Sequence, residues 1–316
     1  MSINAKLQTV KEISSNGGLI GRFLKARLSK YDFFWNRFNK DSRRKFMALE
    51  TELDDFAQKV VSEVYQQGFS VRKLDDFLTN QEIKLLYDDV DQRYTTTPRQ
   101  RGDDWSLPKN YLEYYKGGFY PKESQDLNLD NPFDKLAIHE TVLKIVNSYF
   151  NSIGRLCYIE LNKCAVLNRD DSATGSQRVH RDPAFRTLMK VFVYWNDISE
   201  DGGAFTYMPE THIHGKYGHI APNKKLFGGS YYPELSLYNQ LEQKKLSGLR
   251  GSIIFGDPAG LHYGGKSYDT PRKLSTFVYY PEADTINIIK PKFNIQGLDN
   301  SNNLLSKRQK LCLEIN

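Results

Sequence analysis

The sequence predicts a mainly β protein with helices: a two-sheet barrel preceded by an α-helical N-terminal extension. Three observations carry this. Apolar residues recur at helical spacing through the first part of the chain and at strand spacing after residue 154. Glycine-containing turns separate the alternating runs. Among 316 residues there are 20 Tyr and 18 Phe, and aromatic side chains pack well on pleated surfaces.

The elements follow in order. In residues 17–40, Ile20, Phe23, Leu24, Leu28, Tyr31, Phe34, Trp35 and Phe38 recur at helical spacing, interleaved with Arg22, Lys25, Arg27, Lys30 and Arg37. This predicts an amphipathic helix or helix pair. A second run over 43–66 carries Phe46, Leu49, Leu53, Phe56, Val60 and Val64 on one stripe. Residues 68–73 read as a short strand. A helix over 80–92 follows, with Thr79 as N-cap and Glu82 completing a capping box. Residues 93–133 read as irregular, and 134–150 as helix. Predicted strands are 155–168, 187–196, 203–208, 252–256 and 273–281, which suggests a double-sheet barrel. Asp201-Gly202-Gly203 reads as a hairpin tip. Residues 224–238, with Gly228, Gly229, Tyr231 and Tyr232, read as a long loop and a candidate lid. The predicted division is therefore a basic helical extension over 1–67, a barrel domain over 68–290 and a polar tail over 291–316.

Composition narrows the function classes. Charged residues are 26% and hydrophobic ones 39%, as in a folded soluble protein. The net charge of +6 is uneven. Residues 1–50 hold eleven Lys and Arg against four acids, so the remaining chain sums to −1. A nucleic-acid substrate would want its basic track around the barrel, so that partner is disfavoured. Cys157, Cys164 and Cys312 form no CxxC pair, consistent with a reducing cytoplasm. No apolar leader and no run of about 20 apolar residues is present, which argues against a signal peptide and a membrane span. Residues 17–40 have two readings: a surface helix for anionic lipid, making the protein peripheral to a membrane, or a helical layer on the barrel whose basic face is solvated. The second is favoured.

The chemistry-bearing residues are His180, Asp182 and His262. Strand alternation puts His180 and Asp182 on one face. Two histidines and a carboxylate can cap one face of a metal and leave the other open. Arg272, ten residues after His262, is a fixed cation suited to a carboxylate. Spacing alone leaves the alternative standing: a surface His–Asp pair, a turn histidine and a solvated arginine. His212-x-His214 is a competing pair, read as structural. His139 and His219 have no partner in sequence.

Residues 68–285 resemble the phytanoyl-CoA dioxygenase family of Fe(II)/2-oxoglutarate oxygenases. The matching pieces are Gln177-x-x-His180-x-Asp182, Lys190 to Asp197, Asp201 to His212, Gly251 to Phe255, and the His262 to Arg272 spacing. Residues 1–67 fall outside the resemblance. Glu210 and Thr211 stand where the family has Gly and Ser. The resemblance implies a double-stranded β-helix, a jelly-roll or cupin-like core with flanking helices. It implies Fe(II) on His180, Asp182 and His262, and 2-oxoglutarate and molecular oxygen as co-substrates. Arg272 would take the far carboxylate of 2-oxoglutarate, with Ser275 or Thr276 as further donors and Trp195 packed nearby. Lys190 reads equally as a solvated strand residue. The implied reaction is hydroxylation of a small or medium organic molecule, with 2-oxoglutarate decarboxylated to succinate. Desaturation, cyclisation, demethylation and a non-catalytic binding barrel are the alternatives. Asp182 argues against halogenation, since halogenating relatives replace the ligand acid. Aromatic-rich residues 103–120 and the 224–238 loop are the expected substrate walls.

Overall fold

The computed structural model describes residues 24–25, 27–49, 52–98, 100–101, 112–117, 125–173, 175–184, 186–221, 231–282, 293–298 and 304–315. After helical residues at 24–25 and 27–28 come two short helices, α1 (Asp32–Phe38) and α2 (Lys40–Met47). They pack on the body of the protein through buried Trp35 and Phe46. Ser42 Oγ accepts from the Ile153 N–H at 3.0 Å, and Lys45 pairs with Glu282 at 2.9 Å. Buried Arg186 donates to the Ser29 carbonyl at 3.1 Å and pairs with Asp32. These described helices are thus a layer on the body of the protein; residues 17–23 and 26 lie outside the described set.

The run predicted over 43–66 is two helices. α2 ends at Met47 and α3 spans Asp55–Gln67. Asp54 is the reason: in extended backbone, its side chain accepts from the Ala57 N–H at 2.7 Å and starts a new helix. Gly68 closes α3 at φ +93°, a left-handed turn that glycine adopts without strain. β1 (Phe69–Lys73) follows. α4 (Asn80–Thr96) begins with the predicted Thr79/Glu82 capping box and runs four residues past the predicted end. The helix predicted over 134–150 is also divided, into α5 (Pro132–Leu136) and α6 (Glu140–Phe150), with His139 as the N-cap of α6.

The strands are β2 (Gln100–Arg101), β3 (Leu112–Lys116), β4 (Gln125–Asn128), β5 (Gly154–Cys164), β6 (Met189–Tyr194), β7 (Phe205–Tyr207), β8 (Lys244–Leu246), β9 (Ser252–Gly256), β10 (His262–Gly264), β11 (Arg272–Pro281) and β12 (Phe293–Gln296). All five strands predicted after residue 154 are present. β2, β3 and β4 lie in the stretch read as irregular, and β12 and α7 (Lys307–Leu313) in the stretch read as tail. A seven-stranded sheet has the order β1-β9-β6-β11-β5-β3-β2, and a three-stranded sheet the order β10-β7-β8, both antiparallel. β4 and β12 pair in parallel.

Asp201-Gly202-Gly203 is not a hairpin tip. β6 and β7 belong to different sheets, so this turn carries the chain across from one to the other. Period-2 alternation then divides the large sheet into two faces. Phe192, Tyr194, Ile254 and Leu274 face inward and pack with Phe205, Tyr207 and Leu246 of the small sheet. Val191, Val193, Ile253, Phe255, Phe277 and Tyr279 face outward under α3, α4, α5 and α6. Among the described residues no helix is long and apolar enough to cross a membrane.

Candidate metal centre

His180 and His262 are brought together by the backbone. They form an antiparallel bridge in which each N–H donates to the other's carbonyl, at 2.9 and 3.0 Å. Their rings lie 4.2 Å apart between centroids. Asp182, two residues along, donates its N–H to the Pro258 carbonyl at 2.9 Å, which keeps its strand beside the segment leading into β10. One ligand atom from each of the three side chains lies within 4.8 Å of the others, and all three residues are buried. Asp182 Oδ1 is 3.5 Å from His180 Nε2, and Oδ2 is 3.8 Å from His262 Nε2.

The tautomers are set by the chain itself. His180 Nδ1 lies 2.8 Å from the Arg178 carbonyl, and His262 Nδ1 lies 3.0 Å from the Gly260 carbonyl. A carbonyl only accepts, so each Nδ1 carries a proton, which leaves Nε2 as the nitrogen of each ring able to bind a metal. That is the state a metal requires, and backbone acceptors behind ligand histidines are the usual device for holding it. Burial first, then the neighbouring His180, push the His262 imidazole down to about 3, so it is neutral near pH 7. Burial alone would raise the Asp182 carboxyl. The Lys190 ammonium and then the two histidines outweigh it and hold the group well below the usual carboxylate range. Two imidazole nitrogens and one carboxylate suit a divalent first-row metal.

The turn before β10 is held by Asp257, a fully buried carboxylate. It accepts from Tyr149 Oη and Thr187 Oγ1, both at 2.6 Å, and from the Ala259 N–H at 3.0 Å. A Cβ on Gly260 would meet Tyr207 Oη at 1.9 Å, so only glycine fits beside that ring. Arg181, between the two ligands of its own strand, donates to the carbonyls of Ala221 (2.8 Å), Thr211 (2.7 Å), Ile220 (2.6 Å) and Ala259. It ties the 208–221 segment to the metal-ligand strand.

Arg272 is buried at the start of β11. It donates to the carbonyls of Gly203 and Gly265 (3.4 Å for the latter) and contacts Cys164 Sγ at 3.3 Å. Thr276 shares its inward face. Ser275 does not, because adjacent strand residues point to opposite faces. Trp195 also departs from expectation. Its ring packs on Tyr87 and Phe133 under the helices, with centroids at 6.3 and 6.1 Å, on the face away from the metal ligands. Lys190 is not solvated: its Nζ lies 2.6 Å from Asp182 Oδ2. His212 is structural, as expected. It is buried and its Nε2–H donates to the Tyr65 carbonyl at 3.0 Å. Of the expected substrate walls, 103–111, 118–120 and 224–230 lie outside the described residues. Tyr232, in the 224–238 stretch, has its ring 5.6 Å from that of His180.

No protein-family model matches the chain, and no curated protein sequence does. Solved structures do. The epimerase SnoN in complex with Fe3+, alpha ketoglutarate and nogalamycin RO aligns with 74% of this chain and 89% of its own, at 15% identity and a TM-score of 0.51. The chain shares SnoN's fold. The carbocyclase SnoK aligns with 78% of this chain and 94% of its own, at 11% identity and a TM-score of 0.48. HygX from Streptomyces hygroscopicus, with nickel, 2-oxoglutarate and hygromycin B bound, aligns with 73% of this chain and 88% of its own, at 18% identity and a TM-score of 0.43.

Proposed function

We propose that this protein is an Fe(II)- and 2-oxoglutarate-dependent oxygenase that hydroxylates a small or medium organic molecule. One observation carries the reading: three buried ligand atoms within 4.8 Å, two of them imidazole Nε2 nitrogens fixed by backbone acceptors. The fold likeness to SnoN, solved with Fe3+ and alpha ketoglutarate, supports it, as does a double-stranded β-helix reading of the two facing sheets.

Iron with 2-oxoglutarate and oxygen supplies the oxidising power when bound. The protein's own residues have narrower tasks. His180, Asp182 and His262 would hold the metal by one face. Arg272 would hold the far carboxylate of 2-oxoglutarate, its guanidinium plane fixed by the Gly203 and Gly265 carbonyls. Thr276 is the better further donor, since Ser275 faces the helices. Tyr232 is placed to wall the substrate side and keep water from the centre.

The test is an anaerobic titration of metal-free protein with Fe(II) and 2-oxoglutarate, following the weak visible charge-transfer band of the chelate. The band should form in wild type, vanish in His180→Ala and weaken in Arg272→Ala. Its absence from well-folded wild-type protein would refute the reading.

A further inference from the structure

Two charged side chains inside the barrel are unused by the reading above. Lys190 is the second residue of β6, Met189–Tyr194, a strand otherwise free of charge. Its side chain is 16% exposed and its ammonium sits on Asp182 Oδ2 at 2.6 Å. Glu160 lies on β5 and is 7% exposed. Its Oε1 is buried and has no hydrogen-bond partner. β11 runs between these two strands, with Val278 opposite Lys190 and Thr276 opposite Glu160. Val278 and Thr276 share a face, so Lys190 and Glu160 point into the same interior. Burial outweighs the lowering effect of Lys190 and, with Asp182, pushes the Glu160 carboxyl up to about 7, so the three groups sense one another.

A buried carboxylate without a compensating charge is strongly unfavourable. In the metal-free protein Lys190 supplies that charge to Asp182. A divalent cation on the same carboxylate repels an ammonium seated there, and at a few ångströms that repulsion is large even in a screened interior. The lysine stem is flexible. Glu160 Oε1 is a carboxyl oxygen with no hydrogen-bond partner, and an approaching ammonium favours its ionised form. Asn162 Oδ1, two residues along β5, is likewise unpartnered but neutral.

We propose that Lys190 is the counter-ion of Asp182 while the metal is absent, and passes to Glu160 when a divalent metal takes Asp182. This rests on the metal-centre reading. It makes Lys190 and Glu160 positioning residues: they keep the ligand set formed and charge-balanced in both states.

The test is calorimetric titration of metal-free protein with Co(II), without 2-oxoglutarate, for wild type, Lys190→Met, Glu160→Gln and the double variant. Melting of each metal-free form is followed in parallel. Lys190→Met should bind Co(II) at least tenfold more tightly and melt lower without metal. Glu160→Gln should bind several-fold more weakly. In the Lys190→Met background the Glu160→Gln effect should shrink below twofold, because Glu160 acts through the lysine. Should Lys190→Met not fold, Lys190→Gln takes its place. Weaker Co(II) binding on removal of Lys190 would overturn the proposal, since the lysine would then only orient Asp182. An equal Glu160 effect in both backgrounds would also overturn it. If folded wild-type protein binds no Co(II), the metal-centre reading itself falls and takes the proposal with it.

Discussion

Removing one hydroxyl from Tyr149 should measure how firmly the turn before His262 is held. Tyr149 is fully buried, and burial first, then the nearby Asp257, push its phenol well above the ordinary range, so it stays a donor. Its O–H donates to Asp257 Oδ2 at 2.6 Å, an oxygen shared with Thr187 Oγ1. Tyr149→Phe keeps the ring and its packing and deletes that bond alone. A hydrogen bond to a charged group contributes about 1.5–3 kcal/mol. The unfolding free energy should fall by that amount, read as a lower urea midpoint at unchanged slope. Tyr31→Phe, at a side chain 65% exposed, is the control and should stay within about 0.5 kcal/mol. Thr187→Val removes the other hydroxyl, and its cost should not simply add, because both groups share one carboxylate oxygen. A loss below about 0.5 kcal/mol for Tyr149→Phe would refute the claim that Asp257 is a structural hub of the site.

Two further predictions concern pH and backbone strain. His262 is pushed down to about 3, chiefly by burial, and burial also lowers His212. The unfolded chain, with histidines near 6.5, binds more protons than the folded one below that value. These histidines should therefore make the EDTA-treated protein less stable on acidification below about 6.5, by up to about 1.4 kcal/mol per pH unit per group, offset in part by the raised Glu160 carboxyl, which acts with the opposite sign up to about pH 7. Urea titrations at several pH values check this, and a flat profile would contradict buried neutral histidines. Glu210 has φ +60° in the turn after Met208, a left-handed conformation that suits glycine. Glu210→Gly should stabilise the protein by about 1 kcal/mol, read as a higher urea midpoint, whereas Glu210→Val should destabilise it.

What was legible in the sequence was whatever period and local chemistry control. Thr79 and Glu82 announced α4, and alternation placed His180 and Asp182 on one face. The same alternation within the strands separates Ser275 from Arg272 and Trp195 from Lys190, and Trp195 indeed packs under the helices. β3, β4 and β12 escaped because Leu112–Lys116, Gln125–Asn128 and Phe293–Gln296 carry polar residues at the rim and no clean apolar alternation. The His180–His262 bridge is a pairing across 82 positions, fixed only once β10 meets the segment after Gln177. Glu160 went unread and Lys190 was read equally as solvated, although both break a pattern. β5 is buried almost throughout and β6 is otherwise apolar, so an acid and a lysine within them contradict the local hydrophobic pattern. Such contradictions persist only where something compensates the buried charge. Asp182 already compensates Lys190, and the remaining oxygen of Glu160 marks the place where the compensation changes hands.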